Sequence, residues 1–290
     1  MPSSTSLIAS DLTQSDNVHS NDGVATPVEL GRWGLAIDQA LDRRDVAVAS
    51  SLAMVTLTRL PRHLATYERL LRSLWIGKRW EEGGEWGRRL LQADPGNALA
   101  WRAVARAAEE RRERERANTI WRRAFEVAPY DPDIRAGLVR TSLGGGDPLR
   151  LTQSCLGALY LRGYRWQHAV AIYRSLIAAD SRRIDFQVNL MMALWRLRIG
   201  REAYRLARHL VHDHPLLIMP WVVVSALGDE NDRTLAQNPL DTMDPDGEFT
   251  RHWLRLDLAP PVERTQIPLP FRGAVTFSVT EEEAKLLPLQ

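Results

Sequence analysis

The chain has 290 residues, 44% of them hydrophobic, which is enough apolar material for one large domain or two ordinary ones and excludes disorder throughout. Its 38 basic and 36 acidic residues leave a formal charge of +2, too balanced to nominate a nucleic-acid or membrane partner. The lone Cys155 excludes an intrachain disulfide framework and fits a reducing compartment, and the oddities are ten Trp against five Phe and a basic set in which only Lys78 and Lys285 are lysines.

Residues 1–28 are rich in Ser, Thr, Asp and Asn, with no Arg, no Lys and no apolar run, so they predict a disordered leader rather than a secretory signal. From 29 to 228 Ala, Leu, Arg and Glu dominate and apolar residues recur every three or four positions. Leu70, Leu71, Leu74 and Trp75 make one such stripe, and Leu190, Met191, Leu194, Trp195 and Leu197 make another. This predicts an all-α fold for the middle of the chain. The longest apolar stretch, Leu216 to Leu227, is broken by Pro220 and is shorter than the roughly 20 residues a membrane span requires, so a soluble, cytoplasmic protein is expected. Residues 229–258 read as a loop followed by a capping helix in which Phe249, Trp253, Leu254 and Leu256 would cover the apolar helix around Leu217 to Val224, because the end of a helical stack needs a cover. Residues 259–290 read as an extended, proline-containing acidic tail, with one short strand expected at Ala274 to Val279.

The middle of the chain is periodic. Pro61, Pro95 and Pro129 are 34 residues apart, with helix, turn, helix, turn between them. In the clearest copy Trp101 is followed by Val104, Ala105, Ala108, Ala117, Trp121 and Pro129. At the same period one slot holds Trp33, Tyr67, Trp101 and Arg135, and a second holds Ala49, Gly83 and Ala117, where a small residue lets the second helix pack closely on the first. The frame fails after Pro129 and recovers 18 residues late, at Leu156, Gly157, Tyr160, Ala169 and Tyr173, then at Ala203, Pro215 and Trp221. This pattern closely resembles the tetratricopeptide repeat family.

The resemblance implies a right-handed superhelical solenoid of helix-turn-helix repeats. Five pairs fit, at about 30–61, 64–95, 98–129, 150–181 and 184–215, with a half-repeat at about 132–149 that ends in the breaker Gly144-Gly145-Gly146-Asp147-Pro148. Gly87 and Ala207 depart from the family pattern, standing where an aromatic is usual. Trp33, Trp101, Trp121 and Trp221 fall in packing slots and are expected between helices. Trp75 and Trp195 lie late on first helices, where either core or groove is open to them.

Family members usually bind peptides or partner helices along the inner, concave face, and catalysis is not implied. Five residues beyond the repeated aromatic slot stand Arg72, Arg106 and Arg140, with Arg102 one turn before Arg106. Such a column is the expected binding site for an acidic peptide, since the guanidinium fork takes carboxylates bidentately. Glu109 and Glu110 stand ready to neutralise it. The family's chaperone-tail clamp uses Lys and Asn at slots that here hold Gly34, Asp38 and Ala103, so that partner is disfavoured. The acidic tail, with Glu281 to Glu283, spans on the order of 100 Å if extended and is long enough to occupy the groove itself.

Other chemistry is weak. The run Glu109 to Arg116 balances four Glu with four Arg and reads as a solvated helix face, so nucleic acid is disfavoured. His209, His212 and His214 sit where histidines meet the exposed carbonyls of a helix end more often than a zinc ion. Cys155 reads as a packed, inert thiol, and no cofactor is expected. The sequence therefore predicts a noncatalytic interaction scaffold or adaptor. The alternatives are a fixed subunit of a larger complex and, further off, an RNA-binding repeat protein.

Overall fold

The computed structural model describes residues 26–142, 144, 147–254, 271 and 274–287. Helices dominate it, packed consecutively as hairpins. These are α1 (Leu30–Asp42) with α2 (Val46–Arg59), α3 (Leu64–Ile76) with α4 (Trp80–Ala93), and α5 (Ala98–Glu110) with α6 (Arg114–Val127). After the single helix α7 (Pro132–Thr141) come α8 (Gln153–Arg162) with α9 (Trp166–Ala179), α10 (Ile184–Arg196) with α11 (Gly200–Asp213), and α12 (Ile218–Leu227) with α13 (Glu230–Met243). Two short helices, α14 (Glu248–Trp253) and α15 (Glu281–Ala284), and a two-stranded ribbon of β1 (Thr26–Glu29) and β2 (Thr276–Val279) complete it.

Two backbone devices repeat with the sequence period. The turn inside five of the hairpins places Arg44, Lys78, Arg112, Tyr164 and Arg198 at φ between 57° and 63°, in the left-handed region. That conformation costs a non-glycine residue roughly 1 kcal/mol. It is held each time by a wrap-around bond to a terminal helix carbonyl, as in Asp45 N–H to Ala40 O at 2.8 Å and Arg79 N–H to Leu74 O at 2.9 Å. The second device explains the aromatic slot. Tyr67 Oη donates to Pro61 O at 2.5 Å, Trp101 Nε1 to Pro95 O at 2.8 Å and Trp221 Nε1 to Pro215 O at 2.8 Å. Arg135 and Gln187 do the same to Pro129 O and Ser181 O, at 3.2 and 2.8 Å. The slot thus selects a long donor that ties its helix to the preceding turn; aromaticity is optional. Trp33, in the first hairpin, donates instead to Leu52 O and is fully buried.

Small residues set the helix separation. Ala49, Ala117, Ala169 and Ala203 have no exposed surface. Gly87 stands where an aromatic would be usual because a Cβ there would lie 2.9 Å from the Ala100 carbonyl oxygen: α4 and α5 pack too closely for a side chain. The half-repeat is an unpaired helix. Asp131 caps α7 by accepting the N–H groups of Asp133 and Ile134, and α7 packs on α5 and α6, but among the described residues no second helix follows it. Instead α8 packs on α6, and a local core of Trp121, Phe125, Ile134, Leu138 and Cys155 seals the break.

The C-terminal third departs from expectation. Residues 230–243, read as loop, form α13, so the described chain has six hairpins rather than five. Asp229 caps the helix through Asp232 N–H, and Ala236, Leu240 and Met243 bury against α12. Pro239 lies inside it, and the helix bond it removes would have gone to the carbonyl of Leu235, a residue on the exposed face. The cover for apolar α12 is therefore α13. The expected capping helix exists as α14, but it packs against α3, at the other end of the chain; its predicted extension to residue 258 lies outside the described residues.

The leader and tail assignments also change. Residues 26–28, placed in the leader, belong to β1, which pairs antiparallel with β2, Val28 facing Phe277. Val28, Phe277 and Val279 turn inward in period-two alternation, and Phe277 meets Trp33 edge-on at 5.4 Å between centroids. Residues 1–25 and most of 255–273 lie outside the described residues. The acidic run forms α15, and Glu283 pairs with Arg59 at 2.6 Å rather than with the arginine column. The array thus curls until its C-terminal segment meets the first two hairpins.

Candidate binding channel

The inner face of the curl lines a partly open channel of about 950 Å³. Its walls come mainly from first helices: Glu68 and Arg72 on α3, Leu99 and Arg102 on α5, Ala158 on α8 and Asn189 on α10. His252, Trp253 and Leu254, at the end of α14, contribute from the returning C-terminal segment. One helix face from each of four successive hairpins, the second to the fifth, is brought together here because neighbouring hairpins repeat the same turn and the same spacing.

The ionisable lining is mixed: Arg72, Arg102, Arg162 and Arg196 against Glu68, Asp94, Glu126, Asp131 and Asp185. Two of these carboxyls are held in unfavourable surroundings. Burial pushes Asp94 up to about 6, against hydrogen bonds from Trp253, Asn97 and Gly96 that oppose it. Burial, with the charge of Asp185 adding to it, pushes Glu126 up to about 7. Tyr173 is raised in the same way and donates no charge at neutral pH; its hydroxyl meets Asn189 at 3.1 Å. The channel is amphoteric, not a cationic groove.

The four arginines of the predicted column fall into two groups. Arg72 and Arg102 line the channel, and also a neighbouring depression of about 380 Å³ beside Asp38 and Trp75. Arg106 and Arg140 line neither. All but Arg72 are firmly paired. Arg102 reaches Asp133 at 2.8 Å and Asp131 at 3.6 Å while stacking 4.2 Å over Trp75. Arg106 meets Glu109 at 3.0 Å and stacks over Trp80, and Arg140 closes on the same Glu109 with two bonds of 3.1 and 3.2 Å. Glu109 also accepts Trp121 Nε1 at 2.5 Å, so this one carboxylate gathers three donors. Among the described residues Arg72 has a single carboxylate contact, to Asp38 at 4.0 Å.

An arginine outside the predicted set is the more consequential. Arg69, on α3, is almost buried and bridges Asp38 and Glu248, joining the first two hairpins to α14. Burial alone would lower its pKa, but the hydrogen bonds it donates to these two carboxylates outweigh it and hold the guanidinium above its ordinary value. Gly34 makes room for it: a Cβ there would stand 2.9 Å from the guanidinium carbon. Cys155 is fully buried, its thiol facing Phe125 O. His209 and His212 are exposed and pair with Asp213.

Compared with models of known protein families and with curated proteins, the sequence matches none. Among the described residues no helix is long and apolar enough to cross a membrane.

Proposed function

We propose that the chain is a noncatalytic protein-interaction module of the tetratricopeptide type, a right-handed superhelix that holds a peptide segment of a partner in its inner channel. The observation that carries this reading is the channel itself: a continuous cavity assembled from equivalent faces of successive hairpins, large enough for several residues of extended chain. Its mixed charge suits a peptide with both polar and apolar side chains. Within it Arg72 has an exposed guanidinium 4.0 Å from Asp38, and it supplies the site for an acidic side chain or a chain terminus. Arg102 frames that site, while Arg106 and Arg140 brace the wall behind it through Glu109.

Photo-crosslinking tests the reading. A photoreactive residue replacing Leu99 in the channel, and another replacing exposed Met54 on α2, are expressed in the native cell and the captured proteins are identified by mass spectrometry. A partner peptide attached at 99 and absent at 54 is expected; equal capture at both positions, or none at 99, would overturn the channel as the binding surface.

A further inference from the structure

We infer that His63, Asp244 and Asp246 form a site for a divalent metal of the zinc class at the joint where the C-terminal segment meets α3. His63 immediately precedes α3 and has no exposed surface. Its Nδ1 lies 2.8 Å from Thr66 Oγ1, which fixes the ring and leaves Nε2 aimed at Asp246 Oδ1, 3.6 Å away. That is too long for a hydrogen bond, and Nε2 is buried without any hydrogen-bond partner. An unpartnered imidazole nitrogen facing a carboxylate oxygen needs a cation between them or a proton on the ring.

The rest of the cluster favours the cation. One ligand atom from each of His63, Asp244 and Asp246 falls within 4.8 Å of the others. A tetrahedral zinc with ligands at about 2.0–2.2 Å sets neighbouring ligand atoms about 3.4 Å apart, so the His63–Asp246 edge is already near size and each remaining edge closes by at most about 1.4 Å. Asp244 is fully buried and its two oxygens accept Phe249 N–H at 2.9 Å and Thr250 N–H at 2.8 Å, which orients the carboxylate and leaves lone pairs free. Asp246 is oriented by Glu248 N–H at 3.1 Å. Among the described residues no Lys or Arg side chain forms an ion pair with either carboxylate, although the two sit together in a largely buried place. Two carboxylates and a neutral imidazole balance a divalent charge.

The donor set also selects the metal. An imidazole with two carboxylates suits zinc, whereas calcium requires six to eight oxygens and magnesium keeps most of its waters. Thr66 supplies the outer contact that a ligating histidine ordinarily has on its second nitrogen. Asp246 is the partly exposed member and marks the route of entry and the place for completing waters. None of the three residues lines the channel, so the site acts as a staple between α3 and α14, separate from peptide binding.

Isothermal titration of the chelator-treated full chain with zinc chloride tests it, with His209→Gln/His212→Gln as a second background to remove the exposed histidine pair. One equivalent is expected to bind in both backgrounds and to raise Tm. Asp246→Asn keeps the shape of the site and is expected to weaken binding at least about tenfold without loss of the native helical spectrum. His63→Gln follows the same pattern, and its helical spectrum shows whether it folds. No binding up to about 100 µM zinc, binding abolished by the His209/His212 change, or binding indifferent to Asp246→Asn would each overturn the site.

Discussion

Closure of the array depends on a few contacts between distant parts of the chain, and Glu248→Gln isolates one of them. Arg69 donates to Glu248 through Nη1 at 2.8 Å and Nη2 at 2.5 Å, and to Asp38 through Nε at 3.1 Å and Nη2 at 2.8 Å. The guanidinium side is 8% exposed and the carboxylates are 37% and 36% exposed, so the pair lies between a buried and a surface ion pair. A charged hydrogen bond is worth about 1.5–3 kcal/mol when shielded, and exposed pairs contribute less than about 1 kcal/mol. Gln keeps the shape and one acceptor, and Asp38 still neutralises the guanidinium. A loss of about 2 kcal/mol in the local closing of α14 follows, equivalent to about 30-fold in the opening equilibrium. Native-state hydrogen exchange reads this directly: amides of residues 251–254 should exchange about 30-fold faster while those of α10 and α11 do not change. A double-mutant cycle with Arg69→Met assigns the effect. A coupling below about 0.5 kcal/mol, or unchanged protection in α14, would show that Phe249 burial and the Asp244 cap hold the segment without the ion pair.

Two further outcomes test the packing and the titration behaviour. Gly137→Ala places a Cβ about 2.3 Å from the fully buried ring of Trp121, so it should destabilise by about 1–3 kcal/mol and free α7 first, seen as lost exchange protection at 134–141; a wild-type melt with α7 intact refutes the tight fit. Asp94 is raised to about 6 by burial, above its unfolded value, so the native state holds the extra proton between about pH 4 and 6 and the group's contribution to stability is full below about pH 4 and lost as pH rises to about 6. Asp94→Asn removes that slope, worth up to about 3 kcal/mol: urea midpoints of wild type and variant should diverge across this window and run parallel above it, and a constant difference refutes the shift.

The repeat was legible because its cause is local and recurrent. A small residue where two helices touch, a proline after most of the second helices and a donor six residues beyond that slot are demands the hairpins make separately, so they return at the same spacing. The physical meaning of one slot was not legible. Aromatics at Tyr67 and Trp101 suggest packing, yet Arg135 and Gln187 fill the same position because what the turn requires is a long N–H or O–H donor. Elements held by distant residues escaped. α13 has only a sparse apolar face, Ala236, Leu240 and Met243, interrupted by a proline, and it becomes a helix because α12 offers it a surface. β1 is stabilised by a strand about 250 residues away, which a local reading of four residues cannot contain.

The arginine column was visible as a period, but its electrostatics depend on which residues face one another between neighbouring first helices. That register also leaves a sequence trace. Arg69 with Asp38, Arg102 with Asp133 and Arg140 with Glu109 are each separated by 31 residues, one period less one helical turn. A carboxylate 31 positions from an inward arginine therefore marks an internal ion pair, and an arginine without one is left for other partners. Arg72 has Leu41 and Ala103 at those positions, and Arg106 has Trp75 and Gly137 but is paired along its own helix by Glu109. Of the four predicted residues, Arg72 alone combines an exposed guanidinium, a place on the channel wall and no close carboxylate. Single alanine substitutions should then separate them. Arg72→Ala should reduce crosslinking of the partner at position 99 and flatten its dependence on salt, with little effect on Tm. Arg140→Ala should cost stability slightly, through Glu109, and leave capture intact. Equal losses of capture in the two variants would mean that the column acts as a diffuse positive field, and the 31-residue rule would carry no information about binding.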